Sequence, residues 1–165
     1  MKKQKGFSLI ELLIVVAIIL IIAAIAIPNL LRARIAANES SAAATIRTLN
    51  TAEVSYVTAY PAAGYAATLG ALGGTCTGTT APSSAAACLI DNTLATTGGT
   101  TGKSGYKFAA TGTAGTYLAT ATPITAGSTG VNSFCSVEDG VVHKDPAGAT
   151  AADHDTCMGL ASIGN

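Results

Sequence analysis

The sequence predicts an α+β fold in which a long, kinked N-terminal α-helix packs on a small four-stranded antiparallel sheet. Three observations lead to this prediction. An almost wholly apolar run extends from Phe7 to Ile27, a glycine-free stretch continues from Asn29 to Tyr60, and short runs rich in strand-forming residues follow Gly105. A sheet this small needs a partner to bury one face, and an apolar stripe on the long helix can supply it.

The apolar run has the length of a membrane span. From Leu12 to Ile27 every side chain is Ala, Val, Leu or Ile, and about 20 such residues cross a hydrocarbon core. Glu11 interrupts the run, and an acid inside a membrane span is costly enough to indicate a functional residue. The alternative is a removable secretory signal cleaved near Ala24-Ile25-Ala26, but its apolar region would be shorter, about 7 to 15 residues.

The second part of the helix, residues 29 to 60, is predicted to be amphipathic. Pro28 lies inside the helix, where its ring and its missing donor should bend the helix rather than end it. Glu53 falls within the apolar stripe, and we expect it at a water-exposed edge, with pairing to Lys107 as the alternative. The stripe consists of Ile35, Ala42, Ile46, Leu49, Tyr56, Val57 and Tyr60.

The helix is expected to end before Pro61, since the residue before a proline is driven out of the helical region. Residues 61 to 102 are dominated by Ala, Gly, Thr and Ser, which predicts a long connecting loop. Two short helical segments are predicted within this loop. They are Thr68 to Leu72, which opens on a capping threonine, and Ser84 to Leu94.

Residues 103 to 165 are predicted to form the antiparallel sheet and a C-terminal disulfide loop. Runs rich in Tyr, Phe, Val and Thr alternate here with turns that contain glycine. Asp139-Gly140 is the strongest hairpin signal among these turns. The four predicted strands are Tyr106 to Ala110, Thr116 to Thr122, Ser133 to Val137 and Val141 to Lys144.

The four cysteines of an exported chain favour two disulfides over free thiols. The sequence alone permits three pairings. We expect Cys76–Cys88 and Cys135–Cys157, because each closes a local loop and the second would staple the C-terminal tail to the third strand.

The segment Gly6-Phe7-Ser8-Leu9-Ile10-Glu11-Leu12, after a short basic leader, resembles the processing site of type IV pilins and type II secretion pseudopilins. The resemblance implies that a prepilin peptidase cuts after Gly6, removes residues 1–6 and methylates the new amine of Phe7. It also implies that residues 7–28 form a transmembrane and filament-core helix, and that Cys135–Cys157 bounds a surface loop.

The chemistry of Glu11 allows two interpretations. Cleavage after Gly6 would create an ammonium at Phe7, one helical turn from the Glu11 carboxylate, and pairing lowers the cost of burying both charges. In the simpler interpretation Glu11 only satisfies its own helix N-terminus. In the interpretation that the resemblance favours, Glu11 also attracts the Phe7 amine of an incoming subunit and sets its register in a filament.

Signals for catalysis are weak. Gly98 to Ser104 ends like a phosphate-binding loop, but Thr97 stands where that motif needs glycine, and a strand rather than a helix is predicted to follow. His143, His154 and the cysteines lack the spacing of a zinc site. We therefore expect neither an enzyme nor a cofactor.

Three aspartates near the C-terminus raise the question of calcium, because the resemblance includes major pseudopilins, which carry a structural calcium site there. Asp145, Asp153 and Asp155 have no ordered ligand spacing, so a solvated polar tail is the favoured interpretation and no metal is expected.

Charge excludes one class of partner. Nine basic side chains balance nine acidic ones, and loss of Lys2, Lys3 and Lys5 with the leader would leave six basic against nine acidic. No basic surface large enough for duplex DNA is evident, so nucleic acid is not expected as a ligand.

These observations predict a structural subunit, a pilin, that polymerises through its hydrophobic N-terminal helix into a type IV pilus for adhesion or motility. A major pseudopilin of a type II secretion system is the alternative, and a membrane-anchored or secreted protein with its own activity is a more remote one. The resemblance implies further copies of the chain, a prepilin peptidase, an inner-membrane assembly platform and a cytoplasmic ATPase as partners. It places the precursor in the inner membrane and the assembled filament on the cell surface.

Overall fold

The computed structural model of the protein describes residues 7–74 and 81–164. The chain divides into two compact units, Met1–Arg34 and Ile35–Asn165, and we call the second unit the head. Helix α1, Leu9–Ala59, begins in the first unit and ends in the head. The predicted long helix is thus confirmed, and it ends directly before Tyr60, which precedes a proline.

In the first unit, α1 buries almost none of its side chains. From Phe7 to Arg34 every residue is exposed except Ala23, which is partly buried. Pro28 lies inside α1, so the helix does not end there. The predicted bend at Pro28 stays a prediction.

Among its described residues, the head contains an antiparallel sheet of five strands that lie in chain order. Phe108 lies opposite Ala121, and Thr120 lies opposite Cys135. The sequence predicts four strands; the fifth has only two residues and exists because it pairs with the fourth. The strands are β1 Tyr106–Gly112, β2 Tyr117–Pro123, β3 Ser133–Ser136, β4 His143–Asp145 and β5 Ala161–Ser162.

The turn between β3 and β4 differs from the predicted Asp139-Gly140 hairpin. It is centred on Glu138 and Asp139, and the Gly140 N–H donates to the Val137 carbonyl at 3.0 Å. Asp139 also accepts a hydrogen bond from the Val141 N–H at 2.8 Å, so its side chain forms an Asx turn over Gly140. Gly140 has a φ of 69°, which glycine adopts without strain.

One face of the sheet, the inner face, shares the main core with α1. Alternation along β1 buries Tyr106, Phe108 and Ala110, as expected for a half-buried strand. The predicted stripe on α1 is confirmed in its centre, whereas its ends are only partly buried. The buried members are Ala42, Ile46, Leu49 and Tyr56, and the partly buried ones are Ile35, Val57 and Tyr60.

Helix α2, Leu69–Leu72, confirms the first predicted segment of the connecting loop. The hydroxyl of Thr68 accepts a hydrogen bond from the Ala71 N–H at 3.3 Å and so caps the helix as predicted.

The second predicted segment, Ser84 to Leu94, is wrong. The N–H groups of Ala87 and Leu89 donate to carbonyl groups in α2 at 2.8 and 2.7 Å, so they are not available to a helix of their own. Helix α3, Asn92–Thr97, begins later, after Asp91, whose carboxylate accepts a hydrogen bond from the Leu94 N–H. The aspartate was the start signal for this helix.

The other face of the sheet, the outer face, is partly covered by the C-terminal segment. Helix α4, His154–Met158, begins after Asp153, whose carboxylate accepts a hydrogen bond from the Thr156 N–H at 2.8 Å. A second, smaller core forms between this segment and the sheet. It consists of Cys135, Val137, Ala151 and Cys157, with Leu118 and Leu160 packed against it.

Candidate assembly site

The N-terminus of α1 is closed by its own glutamate. The Ser8 N–H donates to Oε2 of Glu11 at 2.9 Å, and the Leu12 N–H donates to the Ser8 carbonyl at 3.2 Å. Serine followed three residues later by glutamate is the signature of a capping box. The bond from the Ser8 N–H to Glu11 is one of the two hydrogen bonds of that motif. The simpler interpretation of Glu11 is therefore present in the structure, while Gly6 lies outside the described residues.

The capping bond leaves the Glu11 carboxylate with further acceptor capacity. An ionised carboxylate offers about four lone-pair sites, and the bond from Ser8 uses Oε2. Cleavage after Gly6 would keep the Ser8 N–H and add an ammonium at Phe7, whose residue is 76% exposed. Glu11 can therefore hold its own helix N-terminus and still accept a charged donor.

An exposed apolar surface follows Glu11 along α1. Every large apolar residue from Leu9 to Leu31 is at least 44% exposed. Within residues 7–74 and 81–164, α1 is the helix whose length and composition suit a membrane span. An apolar surface of this extent is typical of a segment that a membrane or a partner covers.

Glu39 ties α1 to the loop between β2 and β3 inside the head. Its Oε1 accepts hydrogen bonds from the N–H groups of Val131 and Asn132 at 2.8 and 3.0 Å, and its Oε2 accepts one from the Asn132 amide at 2.8 Å. Burial acts to raise the pKa of Glu39, but these donors, with Lys144, outweigh burial and lower the pKa. The sequence did not reveal this role, because the donors lie more than ninety residues away.

Glu53 corrects the expectation of a water-exposed stripe edge. The residue is fully buried, and its Oε2 accepts a hydrogen bond from the Ala66 N–H at 2.8 Å. Lys107 is exposed on β1 and does not pair with it. Burial raises the pKa of Glu53 to about 7, against the lowering effect of the Ala66 N–H. Glu53 is therefore largely neutral below that pH.

A neutral Glu53 also fits its surroundings better than a charged one. Its Oε1 is buried without a hydrogen-bond partner in the described part of the chain, and so is Oδ1 of Asn50, one helical turn earlier. The position of Glu53 in the apolar stripe indicated burial. The prediction of an exposed edge gave more weight to the general rarity of buried acids.

The disulfide predicted between Cys135 and Cys157 is confirmed, with an S–S distance of 2.03 Å. It joins β3 to α4 and lies in the smaller core. The predicted Cys76–Cys88 pair stays a prediction, because Cys76 lies outside the described residues.

The three aspartates considered for calcium each have another role. Asp145 accepts a hydrogen bond from the Ala147 N–H at 2.8 Å, Asp153 caps α4, and Asp155 lies 3.0 Å from a ring nitrogen of His154. Among the described residues no group of three or more His, Cys, Asp or Glu side chains is arranged to hold a metal ion.

The segment that resembles a phosphate-binding loop is the connection from α3 to β1. Gly98 is the C-cap of α3, and the Lys103 N–H donates to the Tyr106 carbonyl at 2.7 Å in the turn before β1. A strand follows the glycines, so the helix N-terminus that such a loop requires does not follow this one.

Comparison with known proteins finds similarity in the N-terminal segment. The prokaryotic N-terminal methylation motif matches residues 1–27. The type IV wide pilus major component PilA4 of Thermus thermophilus is 65% identical over 40 residues, which cover 24% of this chain and 30% of that protein. The type IV major pilin protein PilA of Myxococcus xanthus is 48% identical over 54 residues, 33% of this chain and 24% of that protein.

The similarity is confined to part of each molecule, since the chain spans about a quarter to a third of the length of the curated relatives it matches. No solved structure gives a significant match. The methylation motif and both relatives show that the N-terminal third of this chain is similar to type IV pilins. The long apolar helix with its antiparallel sheet is consistent with that similarity.

Proposed function

We propose that this chain is a structural subunit that polymerises through α1 into a type IV pilus for adhesion or motility. The observation that carries the proposal is the exposed apolar surface from Leu9 to Leu31 with Glu11 at its start. A fully buried aliphatic side chain gains about 1.5–3 kcal/mol relative to an exposed one. Such a surface is therefore stable only in lipid or against other apolar helices.

The same surface accounts for two successive environments. In the precursor, lipid covers the apolar side chains, which requires no contact between copies. In a filament, helices of neighbouring copies replace the lipid, because packing between apolar helices does not depend on water. Leaving the membrane costs little if each apolar side chain exchanges one apolar neighbour for another.

Glu11 gives the assembly direction and register in this proposal. Burial of its carboxylate among apolar helices is expensive unless a cation accompanies it. The amine that cleavage after Gly6 creates on Phe7 of an incoming copy supplies that cation. The residual acceptor capacity of Glu11, beyond its bond to Ser8, supports this pairing.

The proposed partners follow from the processing motif. A prepilin peptidase would remove residues 1–6 and methylate Phe7, and an inner-membrane platform with a cytoplasmic ATPase would drive assembly. The precursor would reside in the inner membrane and the filament outside the cell. Both relatives are named as major pilus subunits and neither as an enzyme, which favours a pilus over a pseudopilus and over a catalytic role.

Two substitutions of Glu11 separate its capping role from its charge. Glu11→Ala removes both, whereas Glu11→Gln keeps an oxygen that can accept the Ser8 N–H but removes the charge. We expect both variants to insert into the membrane normally and both to lose filament assembly, measured by electron microscopy of sheared surface material. Normal filaments from Glu11→Gln would contradict the charge-pairing role.

Mass spectrometry of the mature N-terminus tests the wider proposal. A methylated Phe7 in long surface fibres supports a pilus, and the same terminus in short, cell-associated filaments supports a pseudopilus. A mature chain that begins after Ala26 and stays monomeric would contradict both.

A further inference from the structure

Both histidines of the chain contact the same turn of the head. Nε2 of His143, in β4, lies 3.1 Å from Oδ2 of Asp139, and Nε2 of His154, in α4, lies 2.7 Å from Oε1 of Glu138. Glu138 and Asp139 are the two central residues of the β3–β4 turn. Each histidine therefore reaches this turn from a different element.

The second nitrogen of each ring faces the C-terminal segment. Nδ1 of His143 lies 2.9 Å from the Leu160 carbonyl oxygen, and Nδ1 of His154 lies 3.0 Å from Oδ1 of Asp155. His143 thus links β4 both to the turn and to the C-terminal segment, whereas His154 belongs to that segment and links it directly to the turn.

All four partner atoms are acceptors. A carbonyl oxygen and an ionised carboxylate cannot donate, whereas a neutral imidazole has one donor and one acceptor. A neutral ring in either bridge therefore leaves one bare nitrogen facing an acceptor. Only the doubly protonated ring donates at both ends, so each ring has two acceptors in place for its two N–H groups.

We propose that His143 and His154 form a proton-dependent clamp that holds the β3–β4 turn against the C-terminal segment when both rings are doubly protonated, and that the clamp loosens when they lose a proton. The clamp goes beyond the proposed function and does not depend on it. Its effect is confined to the head, where the disulfide at Cys135–Cys157 keeps the loosened segment attached.

Other contacts mark the limits of the segment that the clamp controls. The Ile163 N–H donates to the Val142 carbonyl at 2.9 Å, and Arg47 of α1 donates to the Gly164 carbonyl at 3.2 Å. Asn50 of α1 donates to the Gly140 carbonyl at 3.1 Å. None of these three bonds involves a titrating group near neutrality, so they persist when the rings lose a proton.

The charged groups around His154 favour its protonated form. Hydrogen bonds to Asp155 and then to Glu138 raise the pKa of His154, against the effect of burial, and Asp153 also interacts electrostatically with the ring. A histidine whose pKa rises on folding stabilises the fold below its unfolded pKa, and that stabilisation is lost as the pH rises through the folded pKa. The contribution of His154 is therefore lost on going from mildly acidic to alkaline conditions.

The surroundings of His143 include fewer charges. Asp139 is its carboxylate partner, and Lys144 and Asp145 follow it in β4. From β2, Tyr117 interacts electrostatically with Asp139 and with Glu53 of α1. Glu53 itself titrates near neutrality, so a test of the clamp must remove its contribution.

Hydrogen exchange of the full chain in detergent micelles tests the clamp in a Glu53→Gln background. We expect amides of residues 138–162, corrected for intrinsic exchange, to lose protection between pH 5.5 and 8.5, while amides of β1 and β2 do not. In the same background, His143→Gln with His154→Gln should abolish this pH dependence. Unchanged protection of residues 138–162 across this pH range would overturn the proposal.

A variant that removes one carboxylate charge from the turn provides the second test, and it leaves the core residues unchanged. Glu138→Gln should lower the pH at which the His154 ring loses its proton, followed by NMR of the ring signals. Asp145→Asn is the matched control, because it removes one carboxylate from the same region but contacts the Ala147 N–H rather than a histidine. A His154 midpoint that Glu138→Gln does not lower, or that Asp145→Asn lowers equally, would overturn the bridge.

Discussion

The two parts of α1 differ in what covers their side chains. From Leu9 to Arg34 the helix is apolar, yet its residues are exposed, whereas from Ile35 to Ala59 a mixed sequence buries one face in the head. The more hydrophobic part thus has less burial within its own chain. A helix that is apolar all round and covered by nothing needs lipid or other copies, while a striped helix can be completed by its own sheet.

The two glutamates in these parts of α1 differ in the same way, in what covers them. Glu11 is exposed and accepts one local backbone donor, and Glu53 is fully buried and accepts one long-range donor. Glu53 is enclosed within the head, where its Oε1 has no hydrogen-bond partner among the described residues. Glu11 lies at the exposed start of α1, where we propose that the processed N-terminus of another copy pairs with it.

The same substitution in the two parts of α1 should have the largest difference in effect. Ile46→Ala should lower the free energy of unfolding of the head by about 2–5 kcal/mol, because it opens a cavity in the core. Ile18→Ala should change it by less than about 0.5 kcal/mol, since Ile18 is exposed. Denaturant unfolding of the full chain in detergent measures both, and equal effects would contradict the division into two units.

Loss of the C-terminal disulfide should lower the stability of the head by less than the largest effect expected for Ile46→Ala. Replacing Cys135 and Cys157 together by serine opens a loop with a sequence separation of 22, which corresponds to about 3 kcal/mol of lost stability. The expected readout is a lower thermal midpoint of the head with unchanged membrane insertion. Reduced insertion would show that the two units are not independent in this respect.

The contribution of Glu53 should be smaller than that of the disulfide, and it should depend on pH. Its pKa rises on folding from the ordinary 4.5 to about 7, so the folded state holds the proton more tightly. Stability is then highest below pH 4.5, falls as the pH rises and levels off above about 7. Between pH 5 and 8 the loss should be about 2.5 kcal/mol.

Glu53→Gln is the variant that isolates this dependence. An amide can still accept the Ala66 N–H and adds no ionisable group, so stability should become less dependent on pH in this range. Equilibrium unfolding at several pH values measures the slope. A slope as steep in Glu53→Gln as in the unmodified chain would assign the dependence to other groups, the two histidines among them.

Local signals in the sequence were sufficient where the structure depends on neighbouring residues. The long helix and its end before Pro61, the cap at Thr68 and the centre of the apolar stripe were all predictable, because spacing along one element determines them. Four strands were predictable because runs of strand-forming residues alternate with turns that contain glycine. The Cys135–Cys157 pair was predictable because it closes a local loop.

Predictions failed where a distant contact decided the outcome. Helix α3 starts late because α2 takes the backbone donors of residues 87 and 89. Strand β5 exists because β4 pairs with it. Glu53 is buried because a donor from Ala66 and the packing of the head offset the cost of burying an acid.

The order of residues by itself determined the processing motif, the membrane-length helix and the position of Glu11 at its start, because these features are written in consecutive residues. Only the tertiary structure decided which polar side chains are buried and which titrating groups meet. Folding brings Glu39 to the loop at Val131, and it brings both histidines to the β3–β4 turn. The physical reason is that the pKa and the hydrogen bonds of a group depend on its neighbours in space, and the chain's linear order does not list them.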